Sequence, residues 1–380
     1  MLKRVVLVLG FLSTFSTSFA QHDAVVVSEK PVATAPAQAA EVPAAVTEKD
    51  KIKKENKDFI THHLLDAHSF DIMVTKEGKH IGFPLPVIFY DSANGLHTMM
   101  SSAFHHGEEV VESKGGYYKL FHEKIYKTDA SGTINLDEHQ HATNEKVMDF
   151  SITKTVLMVV VTALLMIFIF GGIARSYKNS LVPTGAGKIL EPLILFIRDD
   201  IAKPNIGAKY QKYMSYLLTI FFFILFLNVF GLLPFGINVT GNIAITAALA
   251  IFTFLITQFT ANKNYWQHIF WMPGLPLPMK IVMMPIEIIG MFIKPFALLI
   301  RLFANMTAGH IVIMSLIAMI YVFKNVIAGV AFPFLTFVLY LLEILVAFLQ
   351  AYIFTMLSAV YFGMANEEHH HEGEEGVVHH

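Results

Sequence analysis

Hydrophobic and polar positions are segregated along this chain in blocks, and the blocks change character near residue 155. Beyond that point apolar runs of about eighteen or more residues recur, each long enough to cross a hydrocarbon core of about 30 Å. They predict helices over about 155–173, 214–236 and 243–261, and two longer stretches over about 281–323 and 331–363. The first is expected to end at Gly171-Gly172 and Arg175; the second contains Asn228 and closes at Pro234; the third follows a tight NVTGN connection. Each of the last two would extend about 60 Å at about 1.5 Å per residue, twice the membrane core. They must therefore be broken or strongly tilted, with Pro285, Pro295 and Pro333 as places to bend. Between the first two helices, Ile189, Leu190, Leu193, Ile194, Ile197 and Ile201 fall at helical spacing. That stripe fits an amphipathic helix on the membrane surface or a helix buried within a loop.

The chain before residue 155 follows other rules. KHIGFPLPVIFYD (79–91) and YYKLFHEKIYKTDASGTINLDE (117–138) are rich in β-formers and are bounded by Gly, Asn-Gly and Ser-Gly turn signals. Residues 58–150 thus predict a small β-rich or mixed unit. Residues 21–57, dominated by Ala, Pro, Val, Glu and Lys, hold too few large apolar groups for a core and read as a flexible linker. The first twenty residues combine Lys3 and Arg4, a short apolar stretch and a small-residue end at Ser18-Phe19-Ala20. This is the pattern of a cleaved secretory signal; a first membrane helix would need a longer apolar run.

Composition and charge refine the picture. The chain is 54% hydrophobic and only 15% charged, outside the usual soluble range. Arg175, Lys178, Lys188, Arg198, Lys203, Lys209 and Lys212 crowd the connection between the first two helices, and such a basic loop belongs in the cytoplasm. Together with an exported N-terminus this gives one orientation, with the C-terminus cytoplasmic. The fold class is an all-α polytopic membrane protein. It comprises three spanning helices, an interfacial helix and a long tilted two-helix hairpin, plus the small exported region. The divisions are 1–20 signal, 21–57 linker, 58–150 exported region, 151–363 membrane domain and 364–380 a His/Glu-rich tail. Zero cysteines exclude disulfides and thiolate metal sites. A net charge of −2, with no basic patch, gives no sign of a nucleic-acid partner. His62, His63, His68, His105, His106, His139 and His141 are loosely spaced and expected to be solvated, so no metal site is assigned.

The chemistry lies in polar groups set inside the oil. The last two helices hold Glu287, Lys294, Arg301, Asn305, His310, Glu343 and Gln350. Glu287 and Lys294 can snorkel or pair near an interface. Arg301 is far from both ends of its helix, where a charge costs about 2.5–3.5 kcal/mol on insertion scales. At 100° per residue Lys294, Arg301 and Asn305 share one face, while His310 points to the other. Glu343 and Gln350, seven apart, share a face of the last helix. Folding the two helices into an antiparallel hairpin about Lys324-Asn325 brings Arg301 level with Gln350 and His310 level with Glu343. A guanidinium stays charged at any physiological pH, so it attracts an ionised carboxylate and repels a moving cation. His310 and Glu343 can titrate and hand protons on.

PIEIIGMFIKPFALLIRLFANMTAGH (285–310) and EILVAFLQAYIFTMLSAVYFGMANEEHH (343–370) closely resemble the two signature helices of subunit a of F-type ATP synthases. FLNVFGLLPFGINVTGNIAITAAL (226–249) is similar to the preceding helical pair, and the resemblance covers roughly 155–370. It implies a proton-translocating stator subunit in a bacterial inner membrane, with c-ring and peripheral-stalk b subunits as partners within the synthase. Arg301 matches the essential arginine facing the ring carboxylates; Asn305 and Gln350 match its polar neighbours. His310 and Glu343 match two positions of the half-channel open to the outer side, in the reverse order to some bacterial members, and Glu287 matches a position lining proton access. At Gly231 some relatives carry an acidic residue that is missing here. Nucleotide chemistry and a cofactor are not expected, since no Gly-x-x-x-x-Gly-Lys loop is present. The competing readings are a proton-coupled secondary transporter, which would call for duplicated halves, and a structural membrane scaffold.

Overall fold

The computed structural model describes residues 65–74, 80–137, 141–179, 185, 187–233, 238–272, 276–323 and 326–366. The signal, the linker and all but the first three residues of the tail lie outside these, as do His62, His63 and His139.

The N-terminal unit is built of short antiparallel strands. β1 (Ser69–Val74) pairs with β2 (His80–Pro84); β3 (Pro86–Asp91) lies between β4 (Gly95–Met100) and β8 (Met148–Asp149); β6 (Gly116–Phe121) lies between β5 (Val110–Ser113) and β7 (Lys124–Thr128). Alternation points Val87 and Phe89 inward, where they meet Phe104, Tyr118, Ile125 and Val147 in one small core. Gly95 closes the β3–β4 hairpin at φ 77°, a conformation that a side chain would strain. A buried network stiffens this unit. The Tyr118 hydroxyl donates to Asp91 Oδ2 at 2.8 Å, and the Lys127 ammonium reaches the same oxygen at 3.1 Å. Burial opposes ionisation of Asp91, but these donors prevail and hold its carboxyl at about 2.

The helices are α1 (Lys154–Asn179), α2 (Gly187–Phe196), α3 (Lys203–Ile206), α4 (Tyr210–Leu232), α5 (Ile243–Thr260), α6 (Lys263–Phe270), α7 (Leu277–Phe323) and α8 (Val326–Asn366). Among the described residues, five helical runs are long and apolar enough to cross a membrane. α1 does not stop at Gly171-Gly172. In lipid an unpaired amide has no solvent to turn to, so the ladder continues through glycine and ends among polar residues at Asn179. The predicted stripe of the basic loop forms α2, a π-helical segment Ile197–Ala202, and α3. Ile197 and Ile201 are fully buried against the helices, whereas Ile189 is exposed. The buried-loop alternative therefore describes most of this segment. It is locked to α8 where Asn205 meets Met356 and where Gly363 leaves room for the Asn205 carbonyl.

α4 is the centre of the bundle, packed by α1 on one side and α8 on another, while α7 lies on α5 and α8. Lipid tails are as apolar as side chains, so close packing and interhelical hydrogen bonds hold such a bundle together. Tyr216 bonds Thr253 at 2.8 Å, Asn366 Nδ2 donates to the Tyr213 hydroxyl at 2.6 Å, and Asn228 Nδ2 donates to the Ala347 carbonyl at 3.1 Å. α7 and α8 are different: only 6% and 11% of their apolar windows are buried, against 56% for the run ending in α4. Most of the hairpin surface is left for lipid or another chain.

Candidate functional site

Both functional helices of the hairpin are continuous across their prolines. α7 and α8 pack along one another, and three polar levels mark their contact. At the first, His310 Nδ1 lies 3.0 Å from Glu343 Oε1. At the second, Asn305 Nδ2 donates to Gln350 Oε1 at 2.8 Å. At the third, the Lys294 ammonium stands 5.7 Å above the Tyr361 ring and 3.9 Å from Met364 Sδ.

His310 and Glu343 thus meet at the depth expected for them, but Gln350 does not meet Arg301. Its partner is Asn305, one turn further along the same face of α7. His310–Glu343, Asn305–Gln350 and Lys294–Tyr361 keep one antiparallel register to within about two residues, and that register sets Asn305 rather than Arg301 beside Gln350. Arg301 lies between the second and third levels, half-buried. Among the described residues it has no hydrogen-bond or ion-pair partner, and Tyr361 is within its electrostatic reach. A guanidinium left without an internal carboxylate can bind one that arrives from outside the chain.

The His310–Glu343 level is enclosed. The two residues are 8% and 5% exposed, and Gln350 is 1% exposed. His310 Nε2 lies 3.0 Å from the Gly231 carbonyl. Gly231 is the penultimate residue of α4, whose last four carbonyls have no partner within the helix. The Tyr340 hydroxyl takes the next one, donating to Leu232. A carbonyl only accepts, so Nε2 carries a hydrogen, and the contact on the other side of the ring needs one more proton. That proton resides on Nδ1 beside an ionised carboxylate, or on Glu343 beside a neutral ring. Passing it across requires no displacement of heavy atoms.

Sequence reasoning missed three parts of this arrangement. Gly231, which lacks the acidic side chain of some relatives, contributes through its backbone instead. Tyr340 was visible only as a residue three positions before Glu343, on the same helix face. Gly309 is needed because a Cβ there would come 2.7 Å from Glu343 Oε1. Glu287 is not brought to this level. It stands 23 residues before His310, about 35 Å along the helix, within electrostatic reach of Lys294 and Tyr265.

Two histidines of the N-terminal unit are occupied by carboxylates of their own unit. His68 is held between Asp149 at 2.7 Å and Glu123 at 3.4 Å, and His141 faces Asp137 at 3.5 Å. Among the described residues no group of three or more His, Cys, Asp or Glu is placed to hold a metal ion.

The family model described as ATP synthase A chain matches residues 156–363. The chain belongs to the ATP synthase A chain family. Its similarity to individual members is extensive. It is 44% identical over 293 residues to ATP synthase subunit a of Pelodictyon phaeoclathratiforme, covering 73% of this chain and 83% of that one. It is 50% identical over 240 residues to ATP synthase subunit a of Chloroherpeton thalassium, covering 61% and 71%. It is 49% identical over 238 residues to ATP synthase subunit a 2 of Chlorobaculum tepidum, covering 60% and 67%. A second family model, Domain of unknown function (DUF8433), matches residues 59–150. Within the ATP synthase A chain match lie all of Arg301, Asn305, His310, Glu343, Gln350 and Glu287.

Proposed function

We propose that this chain is the proton-translocating stator subunit of an F-type ATP synthase, working against a ring of c subunits and held by peripheral-stalk b subunits. The observation that carries the reading is Arg301: a permanent cation midway along a membrane helix, half-buried and without a hydrogen-bond or ion-pair partner among the described residues. Burying such a group without a partner is costly, and the cost is offset if a mobile carboxylate completes the pair.

Five crossings, by α1, α4, α5, α7 and α8, would put the N-terminal unit and the C-terminus on opposite sides, and we read the N-terminal unit as the outer one and the C-terminus as cytoplasmic. The basic loop before α4 supports this orientation. The exported unit then marks the outer side, and the α7–α8 turn lies on that side as well. Counting from the turn, the His310–Glu343 level is the outer one and Arg301 lies deeper.

The division of labour follows from the chemistry. A proton coming from outside is taken up at the His310–Glu343 pair and delivered to a ring carboxylate, which becomes neutral and can turn into lipid. Asn305 and Gln350, bonded to one another, form a polar but non-titrating level between the pair and the arginine. After nearly a full turn of the ring, another carboxylate reaches Arg301, whose charge favours its ionised form and so releases the proton. Glu287, at the far end of α7, belongs to the cytoplasmic route. Arg301 separates the routes because a proton passing directly between them would have to pass a fixed positive charge. ATP formation takes place elsewhere in the complex.

Purification under mild detergent tests the assignment. The expected result is co-isolation with a small helical-hairpin protein carrying a membrane carboxylate. A cysteine placed at Ile300 should cross-link to a cysteine near that carboxylate. Recovery of the chain without such a protein would overturn the proposal.

A further inference from the structure

The β4–β3–β8 sheet has a buried inner face and an exposed outer face that is largely apolar. One face, with Val87, Phe89 and His97, is buried in the core of the N-terminal unit. A sheet with one face in water should carry polar residues on the other. Instead, cross-strand rows on the second face read Met148–Tyr90–Leu96, then Phe150–Ile88–Thr98, with Met100 opposite Pro86. Phe83 follows at the end of β2. The exposures of Phe83, Tyr90, Leu96, Met100, Met148 and Phe150 lie between 44% and 57%. Among the described residues of these strand rows, the Tyr90 phenol is the one ionisable group.

Its position relative to the membrane helices identifies what covers it. Ile152 N donates to the Pro86 carbonyl at 3.1 Å and Lys154 N to the Ala67 carbonyl at 3.0 Å, so strand pairing runs directly into α1. Four residues separate Phe150 from Lys154, a reach of at most about 14 Å. The span from Lys154 is 23 residues, about 34 Å of helix, which uses nearly all of α1 to cross the core and puts Lys154 at its edge. Asp66 fastens the same corner: its carboxylate accepts from Thr153 Oγ1 at 2.9 Å, Thr155 N at 3.2 Å and Asn242 Nδ2 at 3.3 Å. Phe70 packs onto the membrane-helix core, and Phe83 stacks on Phe70 with ring centroids 4.9 Å apart. The exposed face is therefore tied by a short hydrogen-bonded connection to the start of α1.

We propose that the second face of the β4–β3–β8 sheet, continued by Phe83, is a lipid-docking surface resting in the headgroup layer beside α1. Tyr and Phe with Leu and Met suit that layer, where an apolar body is buried and a phenol stays wet. Among the described residues, the strand rows of this face carry no charged side chain with which to select a protein partner. At its far edge the Lys114 ammonium donates to the Leu96 carbonyl, placing a cation where anionic headgroups would lie. The proposal rests on α1 spanning the membrane and is independent of the proton route.

The absence of native cysteine allows a direct test in the assembled complex in lipid nanodiscs. Single cysteines at Leu96, Met148 and the more conservative Thr98 are given an environment-sensitive fluorophore, with Glu112 on the other sheet as reference. The first three are expected to be quenched severalfold more by brominated lipid than Glu112, and less by aqueous iodide. Quenching equal to that at Glu112 in both assays would overturn the proposal. So would shielding from iodide without lipid quenching, which would mean that another protein covers the face. If Leu96 and Met148 variants fail to assemble, the Thr98→Cys result alone decides.

Discussion

Replacing Glu343 by Gln separates proton transfer from structure at the enclosed pair. The glutamine amide can donate to Nδ1 of a neutral His310 while Nε2 still donates to the Gly231 carbonyl, so both hydrogen bonds around the ring survive. Side-chain volume hardly changes at a site that is 5% exposed. The expected loss of stability is at most about 1 kcal/mol, the net worth of one hydrogen bond. Glu343→Ala differs. It leaves Nδ1 without a partner and opens a cavity, a cost of about 2–4 kcal/mol. The amide, however, cannot take up or release the shared proton. Loss of a positioned proton donor and acceptor slows transfer by about 10²–10⁴-fold. ATP-driven acidification of inverted vesicles, normalised to the amount of assembled complex, reads the effect. The Gln variant should assemble at wild-type levels with the melting temperature nearly unchanged, and pump at least about a hundredfold more slowly. Pumping at wild-type rate by an assembled Glu343→Gln complex would refute the reasoning.

Gly363→Ala would place a Cβ 1.9 Å from the Asn205 backbone carbonyl, which cannot rotate away; α8 must separate from the α2–α3 segment at a cost of about 1–3 kcal/mol, measured as a lower melting temperature in detergent. His68 gives the N-terminal unit a pH dependence. Burial alone would lower its pKa, but hydrogen bonds to Asp149 and Glu123 raise it to about 10. The associated stability, at most about 5 kcal/mol, is fully present below the unfolded value near 6.5 and is lost progressively as pH rises to about 10. Amide exchange of the β-strands should therefore accelerate across that range, and His68→Gln should flatten the profile; an unchanged profile in the variant would contradict the assignment.

The membrane helices were legible because lipid imposes one simple rule, that long apolar runs satisfy their own backbone. The same rule explains why Gly171-Gly172 failed as a stop signal. Polar residues inside those runs were conspicuous for the same reason, and the encounter of His310 with Glu343 followed from helical periodicity and hairpin depth. Gln350 bonds Asn305 and not Arg301 because these two residues of α7 share a face one turn apart, and periodicity with hairpin depth alone does not choose between them. The Gly231 carbonyl had no side-chain signature at all; only the end of α4 reveals it. In the N-terminal unit, strand alternation was visible in KHIGFPLPVIFYD. That the outer face of the sheet is apolar emerged only once β8 set Met148 beside Tyr90.

The central claim is that Arg301 is an unpaired, fixed cation between two proton routes, and ATP-driven proton pumping by the Arg301→Ala complex tests it most directly. With assembly verified in the same vesicles, the account predicts loss of coupled pumping. Undiminished pumping coupled to ATP hydrolysis would contradict it.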